Sequence, residues 1–140
     1  MEIPVFDRIS IGDELVRVEK AALTRTTLAL FAGASGDHNP VHIDIDAARA
    51  AGLPDVIGHG MLSMAYLAQV LTEWVPQSAI RAYSARFVAP TRVGNVLTCL
   101  GKVINKQCSD SQGTLRLELK IIDQFDEIKI RGEAEVTLAA

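Results

Sequence analysis

The chain has 140 residues, room for one domain of ordinary size, and residues 1–140 are read here as a single unit. Hydrophobic residues at 49% and charged residues at 22% exclude disorder, collagen and coiled coil as readings of the whole chain. Fourteen Lys and Arg against seventeen Asp and Glu give a net charge of −3, with no block of like charge, so the electrostatic footprint of a nucleic-acid-binding protein is missing.

In chain order, Met1 to Asp13 lacks a basic head followed by an apolar run, so no signal peptide is expected. A strand is predicted near Glu14 to Lys20. Thr24 is a candidate N-cap for a helix of about ten residues, with Leu28, Phe31 and Ala32 on one face and Gly33 and Gly36 ending the pattern. Asp46 is the expected cap of a short Ala47 to Ala51 helix that Gly52 and Pro54 stop. From Met61 to Trp74 the sole formal charge is Glu73, and a helix apolar on nearly every side must be wrapped by protein.

The second half alternates with a period of two. Arg81 to Ala89 and Val96 to Ile104 read as strands separated by the turn residues Pro90, Gly94 and Asn95, and a polar loop is expected from Asn105 to Gly113. Leu115, Leu117, Leu119 and Ile121 alternate with Arg116, Glu118 and Lys120. Ile128 to Leu138 repeats the pattern after a turn near Asp126 and Glu127, so these two strands should pair antiparallel. The plan is α+β: a four- or five-stranded antiparallel sheet curled around one buried helix.

Chemistry concentrates in two places. Ser35-Gly36-Asp37-His38-Asn39-Pro40-Val41-His42 cannot be a regular helix, because Pro40 fixes its own φ and pushes Asn39 out of the α region. A bend there could aim Asp37 and His42 at one point, and a carboxylate beside an imidazole is a natural proton-transfer pair at neutral pH. The same residue types also make ordinary turns. The second place is Ile57-Gly58-His59-Gly60-Met61-Leu62, at the start of the buried helix, where free N–H groups and the positive dipole end suit a developing oxyanion. Glycines 58 and 60 would let a carbonyl approach the backbone, or would simply ease entry into a crowded helix.

Taken together, the two clusters resemble the hydratase motif of the MaoC-like family within the hot-dog fold. The matching residues are Phe31, Ser35, Gly36, Asp37, Asn39, Pro40, Val41, His42, Ala48, His59, Gly60 and Met61. Within the family the chain looks most like the stand-alone (3R)-hydroxyacyl-ACP dehydratase subunit of the HadB type, departing from the usual pattern at Ala34 and His38. The resemblance implies hydration of trans-2-enoyl thioesters, carried by CoA or ACP, to (3R)-hydroxyacyl thioesters, or the reverse dehydration. It also implies that Asp37 and His42 hold the reacting water, with Asp37 usually taken as the base, and that the Gly60 N–H receives the thioester oxygen.

Ser35, Asn39 and His59 are expected to support the site. The apolar residues Met61, Leu62, Met64 and Ala65 are expected to flank the acyl chain. No cofactor is implied. A metal site built from His38, His42, Asp44 and Asp46 is disfavoured because Pro40 breaks the helix that an i, i+4 histidine pair needs. A hot-dog thioesterase usually draws a carboxylate from the central helix, and Met61 to Thr72 contains none. The remaining rival is a non-catalytic acyl-binding subunit, which would normally have lost Asp37 and His42. A homodimer is expected from the fold, with a heterodimer of related hot-dog chains as the alternative.

Cys99 and Cys108 form no CxxC pair, which suits a reducing compartment. The longest stretch free of Asp, Glu, Lys and Arg, Val56 to Thr72, contains His59, Ser63 and Gln69 and falls short of a membrane span. A cytoplasmic protein with no membrane partner is expected.

Overall fold

A computed structural model of the chain describes residues 3–15 and 17–140. Met1, Glu2 and Val16 lie outside it, and with them one position of the predicted first strand. The elements in order are β1 (Val18–Glu19), α1 (Arg25–Ser35), α2 (Ile45–Ala50), α3 (Gly60–Thr72), β2 (Ile80–Phe87), β3 (Thr98–Ser109), β4 (Gln112–Ile122) and β5 (Ile128–Ala139).

Alternation decides the sheet. On β4 and β5 the residues Leu115, Leu117, Leu119, Ile121, Ile130, Ala134, Val136 and Leu138 are buried on one face, and the charged residues between them stand on the other. A shift of one residue would turn the whole apolar set to solvent, so the register is strongly specified. The strands form one antiparallel sheet in the order β1-β3-β4-β5-β2, which α3 crosses with Leu67, Val70 and Leu71 in the main core. Strand β2 pairs with β5 and not with its sequence neighbour β3. The connection 88–97 therefore has to pass over the end of the core, a consequence that matters for the site.

Three expectations change. The predicted polar loop is strand instead: β3 runs to Ser109 and pairs with β4 down to Ser109 opposite Gln112. Asp110 and Ser111, both at positive φ (50° and 63°), make the tight turn whose twist matches the strands it joins. Polar residues are accommodated there because the far end of the hairpin is exposed, apart from Gly113, where an added Cβ would run into the Phe6 ring. The short helix begins earlier than expected, at Ile45, because Asp44 and not Asp46 is its cap: one Asp44 oxygen accepts from the N–H groups of Asp46 and Ala47. The early strand contracts to Val18–Glu19 plus an isolated bridge from Glu14 to Lys102.

The long helix is also not enclosed on every side. Its buried stripe is Leu62, Ser63, Leu67, Val70 and Leu71, whereas Met61 and Ala65 are exposed on the flank beside the free edge of β2. A five-stranded sheet curls only part of the way round a helix. Among the described residues no helix is long and apolar enough to cross a membrane.

Leu67 is fully buried where α3 meets the sheet. Replacing it with alanine should cost about 2–5 kcal/mol, the range for leucine truncation in a close-packed core. The urea midpoint of Leu67→Ala, measured with an unchanged m-value, checks this.

Candidate active site

The loop after α1 is folded by its own side chains. Thr24 caps the helix start by accepting from the Thr27 N–H, and Gly36 ends the helix at φ 76°, in the left-handed region. Three side chains then bond two residues on: Ser35 Oγ accepts from the Asp37 N–H, Asp37 Oδ1 from the Asn39 N–H, and Asn39 Oδ1 from the Val41 N–H. Pro40 opens a single 3-10 turn that ends at His42. Ser35 and Asn39 thus shape the loop, and Asp37 is left with Oδ2 free of it. The small residue at 48 is explained as well: Ala48 is fully buried on Leu28 in a secondary apolar cluster under this loop.

His42 is held at both ends. Its Nδ1 lies 2.8 Å from the Ile57 carbonyl oxygen, which can only accept, so Nδ1 carries the hydrogen. In the neutral ring Nε2 is then the nitrogen with the lone pair. It lies 3.8 Å from Asp37 Oδ2, too far for a direct hydrogen bond and close enough for one water to touch both. The ring is little exposed at 11%, whereas the Asp37 side chain is 48% exposed, so the pair sits where a buried base meets solvent.

His59, completely buried, stacks on His42 with ring centroids 3.9 Å apart and planes 25° apart, and receives the edge of Phe31 at 4.8 Å. Its Nε2 lies 3.2 Å from the backbone carbonyl of Asp37 and donates to it. Burial pushes the His59 imidazole below its ordinary pKa, so the neutral form is favoured. His59 Nδ1 is buried without a partner. The motif's aromatic and second histidine therefore form one stack, Phe31–His59–His42, that fixes the plane of the His42 imidazole.

Asp37, His42 and His59 bring possible ligand atoms within 4.8 Å of one another. Stacked rings send their in-plane lone pairs side by side, not to one point, and one nitrogen of each ring is already donating. The arrangement fits a shared water better than a shared ion.

The second cluster closes the site. Gly58 donates to the Thr91 carbonyl at 2.8 Å, and a Cβ on Gly58 would collide with Thr91 Oγ1. Gly60 is the first residue of α3, so its N–H has no partner within the helix. A Cβ on Gly60 would sit 3.0 Å from the Phe87 ring. His42, Gly58, Gly60 and Ser63 form one side of a largely apolar cleft of about 330 Å³; Phe87, Thr91 and Ile130, with the segment 88–90, form the other.

The structure thus brings Asp37, His42 and His59 together, with Ser35 and Asn39 shaping the loop, and it places His42 and Gly60, but not Asp37, on the lining of one cleft. It does not bring the four expected acyl-flanking residues to the cleft. Met61 and Ala65 are exposed on the outer flank of α3, Leu62 packs into the secondary cluster with Leu28 and Val56, and Met64 is half-buried away from the lining. One turn past Gly60, the residue that α3 presents to the cleft is Ser63. The wall residues from 87 to 91 and Ile130 carried no local signal beyond the turn mark of Pro90, because they meet α3 only through the pairing of β2 with β5.

Acidification should test the stack. A buried His59 with a lowered pKa binds its proton less readily folded than unfolded. Its contribution to stability is therefore complete above about pH 6.5 and is lost as pH falls below it, by at most about 1.4 kcal/mol per pH unit. His59→Gln, which keeps a donor for the Asp37 carbonyl, should flatten that part of the stability profile in urea titrations between pH 5 and 7.

The chain is similar to several proteins of known activity. The (R)-specific enoyl-CoA hydratase of Rhodospirillum rubrum is 31% identical over 138 residues, covering 91% of each chain. The mitochondrial 3-hydroxyacyl-[acyl-carrier-protein] dehydratase of Arabidopsis thaliana is 25% identical over 131 residues, covering 93% of this chain and 78% of the relative. Among solved structures, the (R)-hydratase from A. caviae involved in PHA biosynthesis superposes with a TM-score of 0.79 at 27% identity, over 92% of this chain and 96% of that one. The model of the MaoC like domain matches residues 8–123, and the chain belongs to that family of hot-dog proteins.

Proposed function

We propose that the protein adds water across trans-2-enoyl thioesters to give (3R)-hydroxyacyl thioesters, or runs the reverse elimination, as one MaoC-like domain spanning residues 1–140. The observation that carries this reading is the bare His42 Nε2, fixed by the Ile57 carbonyl and facing Asp37 Oδ2 across the width of one water. The names of the relatives from Rhodospirillum rubrum and Arabidopsis thaliana point the same way.

The reaction follows from the geometry. Water bound between Asp37 and His42 gives one proton to His42 Nε2, and its oxygen adds to C3 of the enoyl group. The imidazolium so formed is stabilised by the Asp37 carboxylate. Electrons move onto the thioester oxygen, where the unpartnered Gly60 N–H and the positive end of α3 meet the growing charge. His42 then returns the proton to C2 on the face that received the oxygen. The balance is one water consumed, one C–O and one C–H bond formed, and His42 restored. Asp37 is thus assigned to orientation and charge stabilisation, and His42 to the proton transfer. The acyl group occupies the cleft between Ser63 and the 87–91 wall, and the thioester arrives on CoA or on a carrier protein.

Two copies pair through β2. Its outer side is unpaired among the described residues, and Phe87, Val88 and Met61 lie exposed beside it at 53%, 51% and 57%. The two cysteines, both free, suit a cytoplasmic setting.

Asp37→Asn and His42→Ala should each lower hydration of crotonyl thioesters by about a hundredfold or more while the fold is retained, followed by loss of enoyl absorbance. Chiral analysis of the product should return the 3R alcohol. Turnover like that of the original chain in either variant, or a 3S product, sinks the reading. Light scattering on the eluting protein should give twice the mass of the chain, and Phe87→Glu should shift it to the single-chain mass.

A further inference from the structure

The reaction as derived leaves a buried ion pair unused. Lys129, on β5, has a side chain only 2% exposed. Its Nζ donates to Glu127 Oε1 at 2.6 Å and to the Pro90 carbonyl at 3.1 Å, and Asp123 Oδ2, itself 4% exposed, is 3.4 Å away. Alternation along β5 places residue 129 on the face of Arg131 and Glu133, where a lysine ordinarily reaches solvent. Burying an ammonium and a carboxylate is costly, and replacing such a pair by apolar residues is often neutral or stabilising, so stability alone explains it poorly.

What the ammonium touches is the back of the cleft wall. The segment 88–91 belongs to the connection that has to cross from β2 to β3 over the end of the core, and no strand ladder holds it. It is held by residue 129: the Lys129 carbonyl accepts from Val88 and Ala89, and the Lys129 ammonium donates to Pro90. The wall in turn holds the catalytic turn. Thr91 accepts from the Gly58 N–H, and its Oγ1 packs where a Gly58 side chain would be. On the other side of Gly58, Ile57 donates to Val41 and accepts from His42.

We propose that Lys129 is a positioning residue for the hydration reaction: its ammonium fixes the 88–91 wall, and through Thr91 and Gly58 it sets the distance between the Gly60 N–H and the His42 imidazole. Asp123 Oδ2 lies beside the ammonium and helps to hold it in place, while its other oxygen accepts from the N–H groups of Phe125 and Glu127 and so ties the anchor to the β4–β5 turn. The proposal rests on the hydration reading.

Lys129→Met removes the donor but strands two carboxylates and should lower stability. Lys129→Met combined with Asp123→Asn and Glu127→Gln removes all three charges and serves as the folded test. At a temperature where circular dichroism shows it folded, with its mass in solution unchanged, the triple variant should lose at least fivefold in kcat/KM for crotonyl thioesters, with KM raised. The Gly58 amide, followed by hydrogen exchange, should exchange at least fivefold faster. A loss of less than fivefold, an unchanged KM with kcat tracking only the folded fraction, or an unchanged Gly58 exchange rate overturns the proposal. The hydration reading stands or falls separately on Asp37→Asn and His42→Ala, and the exchange measurement needs no substrate.

Discussion

The hydrogen bond from His42 Nδ1 to the Ile57 carbonyl is the contact on which the site depends. It joins the two halves of the motif, because His42 closes the loop after α1 and Ile57 opens the turn into α3. It also decides the chemistry: a carbonyl cannot donate, so the imidazole must present a bare Nε2 to the side where Asp37 stands. Without that bond the neutral ring would be free to exchange tautomers, and Nε2 could then carry the hydrogen as a donor.

Around this bond the fold supplies rigidity from three directions. The Phe31–His59–His42 stack fixes the ring plane, while the succession of Ser35, Asp37 and Asn39 turns fixes the carboxylate. Contact between Gly58 and Thr91 brings the start of α3 against the cleft wall. The bidentate Arg25–Asp55 pair, at 2.9 and 2.6 Å, spans the same gap on the surface, tying the first turn of α1 to the segment before α3. That pair is solvent-exposed, and its contribution is orientation more than stability.

The open flank of α3 and the free edge of β2 belong to the same constraint. A sheet that curls halfway around a helix leaves one side of the helix and one strand edge uncovered, and here the two uncovered surfaces adjoin. The cleft opens at that junction, with Phe87 shared between the cleft, the exposed edge and the approach to Gly60. Enclosure of the cleft and coverage of the edge are therefore one problem.

Much of this was legible without coordinates. Thr24, Gly36 and Pro40 act on their own immediate backbone, so the helix stop and the bend at Asp37–His42 could be read locally; so could the apolar alternation of β4 and β5, since each residue's face follows from its neighbours. Local reading failed where the deciding partner was distant. The Asn105–Gly113 segment became strand because pairing with β4 outweighed its polar composition; the cap moved two residues, from Asp46 to Asp44, for a local reason, since one Asp44 oxygen reaches the N–H groups of both Asp46 and Ala47. Four residues expected along the acyl chain proved to face elsewhere, because the rotation of α3 is set by which stripe the sheet buries. The family and the polar groups that meet at the loop after α1 are written in the chain itself. Their separation, the tautomer of His42, the wall from 87 to 91 and the buried Lys129 behind it were decided by tertiary structure, since each depends on contacts between segments far apart in the chain.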